Sequence, residues 1–434
     1  MRAPQQLGRF GTWIAVGALV WHALAILSPA WVLTFQQTKA RDFASYYYAV
    51  QVGHDGGDPY DKVQLSAAAR DDGMRNGVHP FLYAPPFLLA ASWVRGFELP
   101  QAFHLWFWLD ELCAVAVGIA LWRWWRPLGT QVGPVIAVVM GLMTAIPNNH
   151  AMGQANLPGM LLAITGLWQV ERGRRELGGV LMGAACMLKM SPALFVAWWL
   201  VRREWTAVIA AVATGVALSV LSLPFAGPAV QWNFYTHVLP TFSNGDYNGL
   251  AVPIGLFGNH SIPNLLDGIL PTPAATLSPA AQWAASLVNA GLLGLLGWAF
   301  WPRDAGAGDD PDALRFRYAA QASCVGVLLL LLPVYTYEHH LVFAIPAAVL
   351  SVLAVQQGRL PRTWAVPVGL AVAVLLFDLQ TIKGLAEAMP PALVAVGAVL
   401  RELKFGALVL LLASTERLGH VPAAAAAPVP ATAT

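Results

Sequence analysis

Residues 205 to 226 read WTAVIAAVATGVALSVLSLPFA, an uncharged run that begins directly after Arg202, Arg203 and Glu204. A bilayer core about 30 Å thick needs about 20 apolar residues at 1.5 Å rise each, so this length predicts a helix that crosses a membrane. The period-2 alternation of a membrane β-barrel is absent. Comparable apolar runs fall at 12–33, 81–97, 102–125, 131–147, 153–171, 177–200, 281–301, 317–334, 340–355, 363–382 and 392–413. The expected fold is an all-α polytopic membrane protein with about ten to twelve transmembrane helices.

Composition agrees. Of 434 residues, 57% are hydrophobic and 11% charged, with 18 tryptophans and a mean hydropathy of +0.57. Soluble domains carry about 25% charged residues. A net charge of +2, spread in small basic groups between apolar runs, gives no footing for nucleic acid. Cys113, Cys186 and Cys324 lie inside apolar runs, without metal or redox spacing, and read as packing residues. Residues 13–27 follow Arg2 and Arg9 as in a signal peptide, but the run continues to Val32 without a small-residue cleavage site, so a retained first span is expected.

One transmembrane domain is expected over 1–420, with outer loops at 34–80 and 227–280 and a disordered low-complexity tail at 421–434. Arg202/Arg203, Arg303/Arg315/Arg317, Arg359/Arg362 and Arg417 fall on every second boundary, which makes those boundaries cytoplasmic. Five full spans in 81–201 would put RWWR (123–126) and ERGRRE (171–176) on the wrong side. Hairpins at 81–97 and 177–200, broken at Pro85, Pro86 and Pro192, put both basic groups inside and NNHAMGQAN (148–156) outside.

Chemistry-bearing groups cluster in the outer segments. In RDFASYYYA, Asp42 and Tyr46 share a helix face. Asp42 is either a carboxylate general base or the N-cap of a helix resting on the bilayer, with its tyrosines in the interface belt. GGDPYD is a turn, with Asp61 capping the segment that follows, and YAPPF places Tyr83 in the same belt. Lys189 in MLKMSP sits inside an apolar run, where a charge costs at least ~2.5 kcal/mol unless an anion or a wet cavity meets it. The anion is a phosphate or a buried carboxylate. Glu338, His339 and His340 in YTYEHH suit phosphate contact or proton transfer, and adjacent histidines diverge too far to chelate one metal. GQAN (Gln154, Asn156) and GNHSIPN (Asn259, His260, Ser261) add hydrogen-bonding groups suited to sugar hydroxyls, or to loop capping. GxxxxGKS, HExxH, GxSxG and CxxC do not occur, so nucleotide hydrolysis, zinc proteolysis and serine hydrolysis have no sequence support.

In this order, RDFASYYYA…GGDPYD, YAPPF, GQANLPGML, LKMSP, GNHSIPN and YEHHLVFAIP resemble the polytopic glycosyltransferases of the GT-C fold. In particular they resemble glycosyltransferase family 87, the polyprenyl-phosphate-mannose-dependent α-mannosyltransferases. His260 departs from the Asn-Gln-Ser usual at that loop. The resemblance implies transfer of a sugar, mannose above all, from a polyprenyl-phosphate donor to a lipid or glycan hydroxyl, with inversion, at the outer face of the cytoplasmic membrane. Asp42 maps onto the family's base, His339 or His340 onto the histidine near the donor phosphate, and Lys189 assists. Tyr46, Tyr83, Gln154, Asn156, Asn259, His260 and Ser261 are then substrate-binding, and no metal or other cofactor is expected. The competing expectations are a polytopic lipid or glycan transporter or flippase, and a catalytically silent lipid-binding relative.

Overall fold

The computed structural model describes residues 3–28, 41–74, 77–271, 276–301 and 310–420. The end of the expected first span (29–33), the start of the first outer loop, Arg303 and the tail from Val421 lie outside the described residues. Among the described residues every regular element is a helix. Four are long and apolar enough to cross a membrane: Leu99–Leu128, Pro279–Ala299, Pro311–Leu331 and Glu338–Gln356. Burial sorts them, because 83% of the window in Pro311–Leu331 is covered by protein and only 17% of that in Pro279–Ala299. The first is a central helix, and the second leaves most of its apolar surface uncovered by the rest of the protein.

Other runs are broken where the sequence breaks helices. Trp205–Leu221 turns by 110° into Leu223–Ser243 at a Pro-containing junction, so the uninterrupted apolar run is not one straight helix. Val132–Leu142 bends by 49° into Ala145–Met152, and Arg362–Leu376 by 94° into Leu379–Glu387. With each bent pair taken as one span, up to seven segments among the described residues are long and apolar enough to cross, in keeping with an all-α polytopic membrane protein. The run at 81–97 holds only the short helix Pro86–Ala91 and a 3₁₀ turn at Ser92–Gly96. The run at 392–413 divides at Glu402 into Val394–Arg401 and Leu403–Gly419.

The run at 177–200 is a hairpin. Arg175–Leu188 ascends about 21 Å at 1.5 Å per residue, turns at Lys189 to Pro192, and returns as Ala193–Val201. Arg175 at its foot pairs with Glu204 just beyond its other foot, at 2.7 Å. Gly179 and Gly183 let the rising helix touch Trp205–Leu221, since a Cβ at either would collide with the backbone carbonyl of Ala207 or Ala211.

Contacts also bring the basic segments together. Arg315 binds Glu171 at 2.9 Å, and Gln357 donates to the Leu128 carbonyl at 2.6 Å. RWWR and ERGRRE therefore lie at the same end as the Arg202/Arg203 and Arg359/Arg362 boundaries. The opposite end gathers 42, 154, 189 and 339.

The three tyrosines correct one expectation. The tyrosines of Arg41–His54 do not form an exposed interface belt: Tyr46, Tyr47 and Tyr48 are 1%, 5% and 2% exposed, in a core with Phe43, Phe81, Phe87, Phe103 and Trp106. Each ring can be buried because its hydroxyl finds a partner. Tyr47 donates to the Phe97 carbonyl at 3.1 Å, Tyr48 to Asp72 at 2.9 Å, and Tyr46 bonds the Tyr83 hydroxyl. Asp61 caps Lys62–Asp71 as expected, and the three cysteines are free and buried.

Candidate active site

Asp42 lies in the first turn of Arg41–His54. Its side-chain oxygens are taken by two other side chains, His79 Nδ1 on Oδ1 at 2.5 Å and Gln154 Nε2 on Oδ2 at 2.6 Å. The carboxyl is thus drawn inward rather than used as a helix cap. Burial pushes its pKa up, but the His79 hydrogen bond and charge, the charge at His339 and the Gln154 hydrogen bond outweigh it, leaving Asp42 below the ordinary carboxylate range.

Gln154 follows Gly153, whose positive φ of 67° closes the helix Ala145–Met152 and turns the chain toward Asp42. Its amide orientation is dictated by its neighbours. Lys189 Nζ can only donate, and does so to Gln154 Oε1 at 3.1 Å; Tyr83 donates to the same oxygen at 2.9 Å. Nε2 must then face Asp42. Burial holds the Tyr46 and Tyr83 phenols well above their usual pKa, so both remain hydrogen-bond donors at neutral pH. Lys189, at the tip of the hairpin, also lies 5.7 Å from the centre of the Tyr83 ring. No carboxylate pairs with it directly among the described residues, so the buried-partner explanation reduces to Gln154 and an aromatic face.

Asn156 does not reach Asp42. Its amide donates to Asn149 Oδ1 at 2.9 Å and to the His339 carbonyl at 3.0 Å, while Asn149 donates to the buried Asp110 at 2.9 Å. This chain of amides anchors the turn that carries His339. The ring of His339, 7% exposed, lies in electrostatic reach of Asp42. His340 is turned to a different task, its Nδ1 accepting from the Tyr337 amide at 3.0 Å.

The loop at 259–261 acts as a brace. Asn259 donates to the Ile254 and Val334 carbonyls at 3.0 and 2.9 Å and accepts from the Thr336 amide at 2.9 Å. Ser261 donates to the Val334 carbonyl at 2.9 Å and caps Ile262–Ile269. The backbone amide of His260 donates to the Thr336 carbonyl at 2.8 Å. Its ring is buried, which pushes its pKa down, and Nε2 stands 3.9 Å from Glu338. In this geometry the three residues brace the segment 334–340.

Sequence reasoning passed over several groups. His79 carries no periodic or spacing signal in GVHPF, and only the fold brings it to Asp42. Lys404 had the same signal as Lys189, a cation inside an apolar run; it is 1% exposed and pairs with Glu338. Glu338 also accepts from Thr144 at 2.7 Å, at the bend of Val132–Leu142 and Ala145–Met152. Glu111, beside Asp110 inside Leu99–Trp125, holds His22 and His150 at 3.0 Å each. Two adjacent carboxylates in an apolar run were a legible flag for an intramembrane polar cluster.

The model of glycosyltransferase family 87 matches residues 81–333. That region contains Tyr83, Gln154, Asn156, Lys189 and the 259–261 loop, and lies between Asp42 and His79 on one side and His339 on the other. The polyprenol-phosphate-mannose-dependent alpha-(1-2)-phosphatidylinositol mannoside mannosyltransferase of Mycolicibacterium smegmatis (strain ATCC 700084 / mc(2)155) is 28% identical over 257 residues. The alignment covers 58% of this chain and 53% of that protein, so the chain spans about half the length of this curated relative. No solved structure matches significantly.

Proposed function

The chain belongs to glycosyltransferase family 87, and from that premise we propose that it transfers a sugar, mannose first among candidates, from a polyprenyl-phosphate donor to a hydroxyl of a lipid or glycan acceptor. The reaction is a single inverting displacement at the outer face of the cytoplasmic membrane, with the Asp42 centre as general base. The donor named for the Mycolicibacterium smegmatis relative supports the donor class.

The observation that carries this reading is the Gln154 amide, which joins an anion and a cation. One end holds the Asp42 carboxylate and the other the Lys189 ammonium. Displacement at an anomeric carbon needs one group to remove the acceptor's proton, and a departing phosphate needs positive charge and hydrogen-bond donors rather than a general acid. Asp42 serves the acceptor side. Lys189 and the His339 turn serve the phosphate. The apolar outer surface of the bundle keeps a prenyl-chain donor in the bilayer while its sugar reaches this polar end. Tyr46 and Tyr83 hold the polar chain in register, Asn156 anchors the His339 turn, and His340 and the 259–261 loop shape the wall.

Membranes containing Asp42→Asn, incubated with radiolabelled polyprenyl-phosphate mannose, are expected to lose ~10²–10⁴ of transfer, the contribution typical of acid–base catalysis, while still binding donor. Turnover near that of the wild type would sink the reading. Movement of intact lipid between leaflets without a labelled glycosidic product would favour the flippase instead.

A further inference from the structure

Asp42 and His79 are arranged as two thirds of a triad. A carboxylate can only accept, so the 2.5 Å contact between Oδ1 and Nδ1 puts the hydrogen on Nδ1. In the neutral ring Nε2 then carries the free lone pair, and it has no partner among the described residues. The imidazole is the more accessible half: the His79 side chain is 29% exposed and that of Asp42 14%. Val78 and Phe81, 7% and 0% exposed, fix the short segment on either side of it. Meanwhile Asp42 Oδ2 is occupied by an amide whose orientation Lys189 and Tyr83 dictate.

We propose that the acceptor's proton is taken by Nε2 of His79, which Asp42 holds through Nδ1, so that the base of this site is an aspartate–histidine dyad rather than a lone carboxylate. The inference rests on the transferase reading above and refines which atom receives the proton. In the step, the acceptor O–H bond breaks and its electron pair forms the bond to the anomeric carbon. The bond from that carbon to the phosphate oxygen breaks, and its pair leaves on the phosphate. The proton resides on Nε2 as an imidazolium facing the Asp42 carboxylate, then passes to water at the exposed edge of the ring. Two physical points favour this path. Both Asp42 oxygens are already engaged, Oδ1 by His79 and Oδ2 by Gln154, whereas Nε2 of His79 has its lone pair open at the more exposed edge of the pair. A carboxylate behind an imidazole also fixes its tautomer and stabilises the imidazolium that forms.

The test uses the full chain in membranes, with radiolabelled polyprenyl-phosphate mannose as donor probe. Variants are His79→Asn, His79→Ala and Asp42→Asn, each checked for amount and for donor binding. Asparagine keeps an N–H for Asp42 Oδ1 but cannot take a proton. His79→Asn is expected to lose ~10²–10⁴ of turnover with donor binding retained. Added imidazole is expected to restore transfer to His79→Ala and not to Asp42→Asn. If Asp42→Asn is inactive while His79→Asn turns over like the wild type, or if imidazole leaves His79→Ala unchanged, the dyad is wrong and the lone carboxylate is the base. If Asp42→Asn itself remains active, the reading of the site fails along with it.

Discussion

Lys404→Met isolates one buried charge. Lys404 is the second residue of Leu403–Gly419, and its ammonium meets Glu338 Oε1; the side chains are 1% and 6% exposed. Methionine keeps the length of the stem and removes the charge. Glu338 is left with the Thr144 hydroxyl at 2.7 Å and the His260 ring at 3.9 Å. Removing one partner of a buried pair costs about 3–5 kcal/mol, because the other charge stays buried. Replacing both partners by neutral groups is often nearly free, so Lys404→Met with Glu338→Gln is expected to regain most of that loss. Denaturation in detergent, followed by tryptophan fluorescence, reads both variants. The turn carrying His339 begins at Glu338, so kcat is expected to fall more than KM changes in the single variant, and to recover in the double. A single variant as stable as the wild type, or a double variant that loses the sum of the two single losses, refutes the buried pair as the anchor of this turn.

Two further outcomes test the framework. Gly183→Leu forces a side chain against the Ala211 carbonyl and Thr214; overpacking costs about 1–3 kcal/mol, and a lowered denaturation midpoint together with reduced transfer is expected because the helix leads to Lys189. Single cysteines at the exposed positions Thr130 and Arg174 are expected to react with a membrane-impermeant maleimide only after the membrane is opened, whereas one at Asp55 reacts in intact cells; reaction of Thr130 and Arg174 on opposite sides excludes the hairpin topology.

Much of this protein is legible without coordinates, for reasons that act locally. Hydropathy over about 20 residues reports whether a segment tolerates lipid, so the all-helical membrane class follows from runs such as 205–226. Proline inside a run reports where a helix cannot continue, and the hairpin at 177–200 turns where Pro192 indicates. Lys189 is unusual in its own setting, and the resemblance singles out Asp42, Tyr83 and Gln154 together with it; the structure brings all four together. Hydropathy measures apolar content and not straightness, so it does not report that the runs at 81–97 and 392–413 are broken.

What the sequence by itself determined is the solvent this chain lives in, its helical class and which polar groups are too costly to be incidental. Only the tertiary structure decided their roles. It buried YYY against Phe81, Phe87 and Trp106, directed Asn259 and Ser261 to the backbone at 334–336, and brought His79 to Asp42 from 37 positions away. The physical reason is that a hydrogen bond has a length and a direction but no record in the chain of its partner's position. Hydropathy is a property of a segment, whereas a hydrogen-bonded site is a property of segments brought together by folding.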